Sequence, residues 1–381
     1  MTVAEQTWHG DDLTVGEVVR RLTALRVESA RAQIGNSENI HPRNSVLDLI
    51  VIAAESDEAE RAAAVVKGLA VHHPCRAIVV LDEPGRGRSR IDATVTSLSH
   101  PLMAGTVCQY EQVMLRVRGP AADHIPSLVE ALQIPDVVTY IWWTGTAPVG
   151  DKRFETALQA ADVMLIDSAR FARPYDAFRE LAELAARTTS TVFEDFHWAR
   201  LQPWREVLAQ FFNPADRRPF LRGIGALGID YVAKGRGNRS AAVLLAGWLA
   251  AVLDWRLKRV ASGKGGTLVA HLVSASSHPV EVAMRPVEMA GFCSGEVTGV
   301  RLDAAARGQT CLVSAVRDRN DSDHVIVDAD IRGSSVPRHV LPAAAESDGD
   351  LLGRLLVSAR GDRFYPSALR LGAELLGSSL K

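Results

Sequence analysis

Apolar residues recur along the first half of the chain in two alternating rhythms. Val15, Val18, Val19, Leu22 and Leu25 share one helical face, and Thr14 with Glu17 three positions on supplies a capping box for that helix. Residues 46–53 and 77–81 are almost wholly apolar, the pattern of strands covered on both faces, with a helical stretch at 58–69 between them. Residues 91–98 and 113–117 alternate instead, which predicts strands with one face toward solvent. Short helices at 127–132, 154–161 and 174–187 then interleave with strands at 137–143, 163–166 and 191–193. The sum predicts a three-layer α/β domain with a mostly parallel sheet over residues 45–212, behind an N-terminal helix and connector at 1–44.

The rhythm changes in the second half. Trp204, Val207, Leu208 and Phe211 form the apolar stripe of a helix at 203–212, and the Pro- and Arg-rich stretch 213–222 marks a domain boundary. A strand at 224–232 and a strongly apolar helix at 240–257 follow. Five β-rich segments come next, at 268–273, 280–289, 295–302, 310–316 and 324–331, with no helix between them, and a helix or helix pair at 350–376 closes the chain. That order predicts a smaller α+β domain over 213–381 with a mainly antiparallel sheet. The helix from Ser240 is apolar nearly all round, so it must be enclosed, inside its own domain or at an interface.

Composition narrows the function classes. With 43 basic against 45 acidic residues and a net charge of −2, bulk charge draws the chain to neither nucleic acid nor an anionic membrane. The four cysteines (Cys75, Cys108, Cys293, Cys311) form no C-x-x-C pair and do not read as a disulfide framework in a chain of 381 residues. Residues 1–13 lack the order of a signal peptide, and the most apolar stretch, 241–253, is shorter than the ~20 residues that span a bilayer. A cytoplasmic protein is expected.

Several constellations carry chemistry, each with a plain structural counterpart. Lys234, Arg236 and Arg239 surround a G-x-G turn between a strand and a helix; they either hold an anion or a partner's carboxylate, or form a solvated turn capped by Asn238 or Ser240. Residues 262–267 superficially look like a phosphate loop but lie in the wrong order for one, and read as a helix-stop turn. No metal set emerges: His72, His73 and Cys75 lack a second ligand pair, and Asp328 with Asp330 lack a third ligand. Ser168, Asp195 and His197 supply the elements of a nucleophilic triad near the carboxyl ends of strands, although Ser168 sits in no G-x-S-x-G elbow. The densest aromatic and arginine signal is Trp142, Trp143, Trp198, Arg200, Trp204 and Arg205, a set that serves equally as core or as a partner surface. Trp142 and Trp143 are adjacent in a strand and must point to opposite faces.

Four segments taken in order resemble one family. HPCRAIVVLDEP (73–84), LQIPDVVTYIWWTG (132–145), EDFHWARLQPWREVLAQ (194–210) and LLAGWLAAVLDW (244–255) are similar to the glucose-6-phosphate dehydrogenase assembly proteins, OpcA. The most specific piece is Asp195, Trp198, Arg200, Trp204 and Arg205 in the spacing D-x-x-W-x-R-x-x-x-W-R. The resemblance implies a protein without an active site or cofactor that binds the dehydrogenase, favours its active oligomer and serves the oxidative pentose phosphate pathway. It brings in thioredoxin as a second partner, with no cysteine of this chain assigned to a switch. Trp142, Trp143, Asp195, Trp198, Arg200, Arg205, Lys234, Arg236 and Arg239 are then the candidate partner-binding residues. The alternative is an α/β enzyme or ligand sensor acting on a sugar phosphate near Ser168 and Asp195.

Overall fold

The computed structural model describes residues 4–34, 45–69, 73–101, 107–233, 238–331, 334–357 and 361–377. Two compact units emerge, and neither is one stretch of chain. The first comprises Met1–Asp167, Thr189–Glu194 and Ser347–Arg360; the second comprises Ser168–Thr188, Asp195–Glu346 and Gly361–Lys381.

The chain begins β1 (Ala4–Gly10), α1 (Val15–Ile34), β2 (Leu47–Ala53), α2 (Ser56–Leu69), β3 (Arg76–Glu83), β4 (Arg90–Pro101) and β5 (Val107–Arg118). It continues α3 (Ile125–Glu130), β6 (Val138–Trp143), α4 (Lys152–Ala160), β7 (Val163–Ile166), α5 (Pro174–Arg187) and β8 (Val192–Asp195). The strands form one sheet in the order β1-β4-β5-β3-β2-β6-β7-β8. From β5 to β7 neighbouring strands run parallel, and the β1–β4 and β4–β5 pairs are antiparallel. The apolar runs at the centre behave as expected: every residue of β2 is buried. Thr14 donates from both its backbone N–H and its hydroxyl to Glu17 at 2.7 Å, the capping contact the sequence predicted. Unpredicted by any periodicity is β1, whose residues pair with β4 at the sheet's edge.

Two ion-pair groups hold this unit. Arg76 and Glu111, 5% and 2% exposed, meet at 2.6 Å across β3 and β5, and Arg76 also donates to the Leu132 carbonyl at 2.7 Å. At the end of β3, Arg116 grips Glu83 through two nitrogens at 2.8 and 2.7 Å, and Arg118 adds a third bond at 2.9 Å. The hydrogen bonds from Arg116 lead in holding the Glu83 carboxyl down at about 2, while partial burial pushes the other way. A carboxyl lowered from 4.5 to about 2 contributes stability in full above 4.5, and loses it as the pH falls from 4.5 through 2. Glu83→Gln is therefore expected to lose less stability than the parent chain between about pH 5 and pH 3 in urea titrations, by no more than about 1 kcal/mol because the pair is partly solvated. Parallel curves for the two proteins would remove Glu83 as an acid-sensitive contact.

The rest of the chain runs α6 (Phe196–Arg200), α7 (Gln202–Phe212), β9 (Ile224–Val232), α8 (Ser240–Val252), β10 (Arg256–Ser262), β11 (Leu268–Val273) and β12 (Pro279–Val287). It ends β13 (Val297–Ala306), β14 (Gln309–Arg317), β15 (His324–Ile331), β16 (Ser334–Pro342), α9 (Asp348–Val357) and α10 (Tyr365–Gly377). The second sheet has the order β10-β11-β12-β9-β13-β14-β15-β16, antiparallel except where β12 meets β9. An α/β fold with one mostly parallel and one mainly antiparallel sheet is thus what the sequence pattern described.

Two boundaries differ from expectation. The apolar helix α8 ends at Val252 rather than 257, because Asp254 turns the backbone to φ +53° and the Trp255 N–H bonds back to the Ala250 carbonyl at 2.8 Å. Residues 256–262 are then a strand, so 262–267 is no helix stop but the turn of a β10–β11 hairpin, with Gly265 and Gly266 at positive φ. Helix α8 is enclosed within its own unit: residues 240–250 are all buried, and it packs on α10. Gly247 sits where the two helices touch, and a Cβ there would overlap the Ala368 carbonyl. On the sheet's other face Asp230 accepts from Arg285 at 2.8 Å and from Arg301, above a depression of 580 Å³ floored by Ala226, Gly228 and Ala283. Among the described residues no helix is long and apolar enough to cross a membrane.

Candidate functional site

The three residues that looked like a scattered triad meet in the second unit. Asp195 ends β8 and caps the short helix α6, accepting the His197 backbone N–H at 2.9 Å. The same oxygen accepts the Ser168 backbone N–H at 3.0 Å. The other carboxylate oxygen accepts the Ser168 hydroxyl at 2.6 Å and the Tyr365 hydroxyl at 3.0 Å. His197 Nδ1 lies 3.2 Å from Ser168 Oγ. Ser168 and Asp195 are each 0% exposed, Tyr365 1% and His197 6%.

The wiring decides what this cluster can do. An ionised carboxylate only accepts, so the Ser168 proton points at Asp195, and Nδ1 must donate to Ser168 Oγ. In a nucleophilic triad the histidine takes the hydroxyl proton and the carboxylate holds the histidine from its far side. Here the carboxylate takes the hydroxyl itself, and Ser168 has no exposed surface for a substrate to reach. The arrangement suits an internal fastener joining the start of α6, the residues after β7 and the start of α10.

A second fastener lies beside it. The Trp198 ring, 2% exposed, is covered on one side by the Arg205 guanidinium at 3.7 Å from its centroid, and meets Tyr365 at 5.7 Å. Asp362 accepts from Trp198 Nε1 at 2.9 Å and from Arg205 at 2.8 Å. Trp204 is buried as well, with the Arg317 guanidinium 5.6 Å from its ring centroid. The aromatic and arginine segment that carries the family resemblance therefore packs largely inward. Of the candidate partner residues, Trp142, Asp195 and Trp198 are buried, while Trp143, Arg200, Arg205 and Arg239 keep some surface. Trp142 and Trp143 face opposite ways, as strand geometry requires; Trp143 sets its ring edge-on against Phe154 at 5.1 Å. Lys234 and Arg236 lie outside the described residues. Sequence reasoning missed Tyr365 and Asp362, which lie about 160 residues or more from their partners and carry no local signal.

Of the other chemistry weighed from sequence, Cys75 and Cys311 are buried thiols and Cys293 is exposed, all three without a disulfide. Burial pushes the Cys311 thiol up from its ordinary range. Among the described residues, no group of three or more His, Cys, Asp or Glu side chains is placed to hold a metal.

Comparison with known proteins fits this architecture first to a class. The backbone matches an NAD binding oxidoreductase from Klebsiella pneumoniae over 88% of this chain and 96% of that one, with a TM-score of 0.50 and 10% identity, a likeness of fold alone. Residues 66–183 match the domain family described as glucose-6-phosphate dehydrogenase subunit N-terminal domain, and residues 191–369 match its C-terminal counterpart. The chain belongs to the OpcA family of glucose-6-phosphate dehydrogenase assembly proteins. An OxPP cycle protein OpcA of Nostoc punctiforme is 27% identical over 76% of this chain and 60% of its own length. That of Synechocystis sp. is 28% identical over 49% of this chain and 38% of its own length, so the chain spans roughly half of these curated relatives.

The fold raises the question of a dinucleotide, and the residues at hand do not fit one. In sheets of this kind the pyrophosphate rests on a glycine-rich turn between the first parallel strand and its helix. Here β2 passes into α2 through Ala53, Ala54 and Glu55, without a glycine, and α2 opens with Ser56, Asp57 and Glu58. Carboxylates at that helix start repel the charge a pyrophosphate brings. Glu58 is further committed to the Thr144 hydroxyl at 2.7 Å.

Proposed function

We infer that this chain is a non-catalytic assembly partner that binds glucose-6-phosphate dehydrogenase, favours its active oligomer and raises its activity. The observation that carries this reading is the pair of family matches, N-terminal then C-terminal, over residues 66–183 and 191–369. Two features of the site support it. Ser168 is fastened to a carboxylate rather than activated by a base, and the first strand–helix turn is acidic where a dinucleotide needs glycines. A cytoplasmic location accords with a soluble metabolic enzyme as partner. Thioredoxin is a further candidate partner, with exposed Cys293 an accessible thiol.

The test is a coupled NADPH assay of the dehydrogenase from the same organism, with and without this protein, alongside size-exclusion of the mixture. Saturable stimulation and co-elution are expected, under reducing or oxidising conditions. Charge reversal at Arg236 and Arg239 is expected to weaken association about tenfold, roughly 1.4 kcal/mol, with Arg236 also reversed alone because Arg239 hydrogen-bonds the buried Tyr231 and its loss lowers stability as well. Neither stimulation nor a complex under either condition would refute the reading. Unchanged affinity in the charge-reversed protein would remove that turn from the interface.

A further inference from the structure

In the second unit α8 packs on β9 and β12 from one side of the sheet, and the opposite face is open to solvent. A solvated sheet face is expected to be polar at every second position. Strand β13 obeys this, with Arg301 and Asp303 exposed between buried Val300, Leu302 and Ala304. Strands β14 to β16 do not. Leu312 is 52% exposed and Val340 56%, and Val316 and Ile326 share their face with part of their surface in water. Together with the depression over Ala226, Gly228 and Ala283 they make the face partly apolar, and apolar surface gathered in one place marks a docking surface. The face measures about 34 Å across eight strands and about 20–30 Å along them. That is roughly 700–1,000 Å², on the scale of the ~800 Å² that each partner of a stable complex buries.

Register places the charges in rows across the sheet. One row runs Glu281, Ala226, Asp303, Leu312 and Asp330. Arg259 and His271 continue it on β10 and β11 and leave it net acidic. The next row on this face holds Ala283, Gly228, Arg301, Ser314 and Asp328. The third, about 13 Å from the first, runs Arg285, Asp230, Gly299, Val316, Ile326 and Val340. There Arg285 and Arg301 share the single carboxylate of Asp230, which leaves a net positive charge. The face is thus acidic at one end of its strands and basic at the other, a pattern complementary to its own reverse.

Two-fold symmetry allows two ways of laying one such face on another. An axis parallel to the strands sets acidic row on acidic row. An axis across the strands, along the middle row, sets Glu281 of each copy on Arg285 of the other and Leu312 on Val316. Charge selects the second. We propose that this face pairs two copies of the chain in that arrangement, strands antiparallel, the acidic end of each on the basic end of the other. The occupant is a second copy because the complementarity lies within the one face, and packed sheets keep their strands within about 30° of alignment.

The test is sedimentation velocity of the whole chain alone, without the dehydrogenase, so its outcome is independent of the assembly reading. A dimer is expected, with a dissociation constant of roughly 1–10 µM. Glu281→Arg and Arg285→Glu should each weaken self-association at least about tenfold, because each sets like charges face to face. An equimolar mixture of the two variants should dimerise again, since both contacts then join opposite charges. Leu312→Lys should also give monomers. Variants are read only where thermal unfolding matches the parent chain; Glu281→Arg and Leu312→Lys replace exposed side chains and suffice if Arg285→Glu, beside Asp230, disturbs folding. A parent chain still monomeric at roughly 100 µM would overturn the proposal, as would a dimer that survives both Leu312→Lys and Glu281→Arg. A monomeric parent whose binding to the dehydrogenase is lost in Leu312→Lys would assign the face to the dehydrogenase and equally overturn self-pairing.

Discussion

Replacing Asp195 with alanine is expected to destabilise the protein by about 3–5 kcal/mol, because it leaves several buried donors without their acceptor. Four donors converge on that carboxylate: two backbone N–H groups, the Ser168 hydroxyl and the Tyr365 hydroxyl. Alanine leaves all four without their acceptor in a region closed to water, and strips α6 of its cap. Urea unfolding of the purified variant measures the loss, and a shift in melting temperature of roughly 10 °C should accompany it. Ser168→Ala serves as the contrast. It removes one donor and should cost about 1–2 kcal/mol, leaving any stimulation of the dehydrogenase intact. An Asp195→Ala protein within about 1 kcal/mol of the parent would show that the cluster does not fasten the second unit. Abolished stimulation in a stable Ser168→Ala protein would reopen the enzymatic reading.

The second large effect is expected at Trp198. Truncation to alanine removes a fully packed indole, at about 3–5 kcal/mol for a buried aromatic. It also strands Arg205, whose guanidinium now lies over the ring, and takes from Asp362 one of its two donors. Trp198→Phe separates these contributions. It keeps the ring face for Arg205 and loses the indole N–H, so the expected cost falls to about 1–2 kcal/mol. A double variant with Arg205→Met should be less destabilised than the sum of the singles, because the two residues share one contact. Strict additivity in chemical denaturation would mean that the stacked geometry contributes nothing.

Most of the architecture was legible in the sequence wherever burial imposed a period. The nearly continuous apolar runs became the central strands β2 and β3, and the change to turn-spaced strands after 256 marked the second sheet. What escaped were strands at sheet margins. Residues 4–10 and 256–262 form outer strands rich in polar or charged side chains, and such strands carry few apolar positions to repeat. The helix expected over 240–257 overlaps only the first two residues of β10, Arg256 and Leu257. The site was half legible. Ser168, Asp195 and His197 could be named as a set, since each follows a predicted strand. Their wiring could not, because it depends on where Tyr365 arrives, 170 positions beyond Asp195. Likewise, the tryptophans were visible as a cluster, but only packing shows that Trp142, Trp198 and Trp204 face inward.

The path of the chain between its two units has a consequence for synthesis. The first unit is completed only by Ser347–Arg360, after the chain has laid down most of the second. N-terminal domains commonly fold while the rest of the chain is still being translated. Here the parallel sheet is fully made once β8 has emerged, yet α9 follows more than 150 residues later. At roughly 5–20 residues per second the nascent sheet waits about 8–30 s for the helix that finishes its unit. During that interval the surface α9 will cover, including the Tyr140 hydroxyl that later donates to the Leu356 carbonyl, stands open to chaperones on the ribosome.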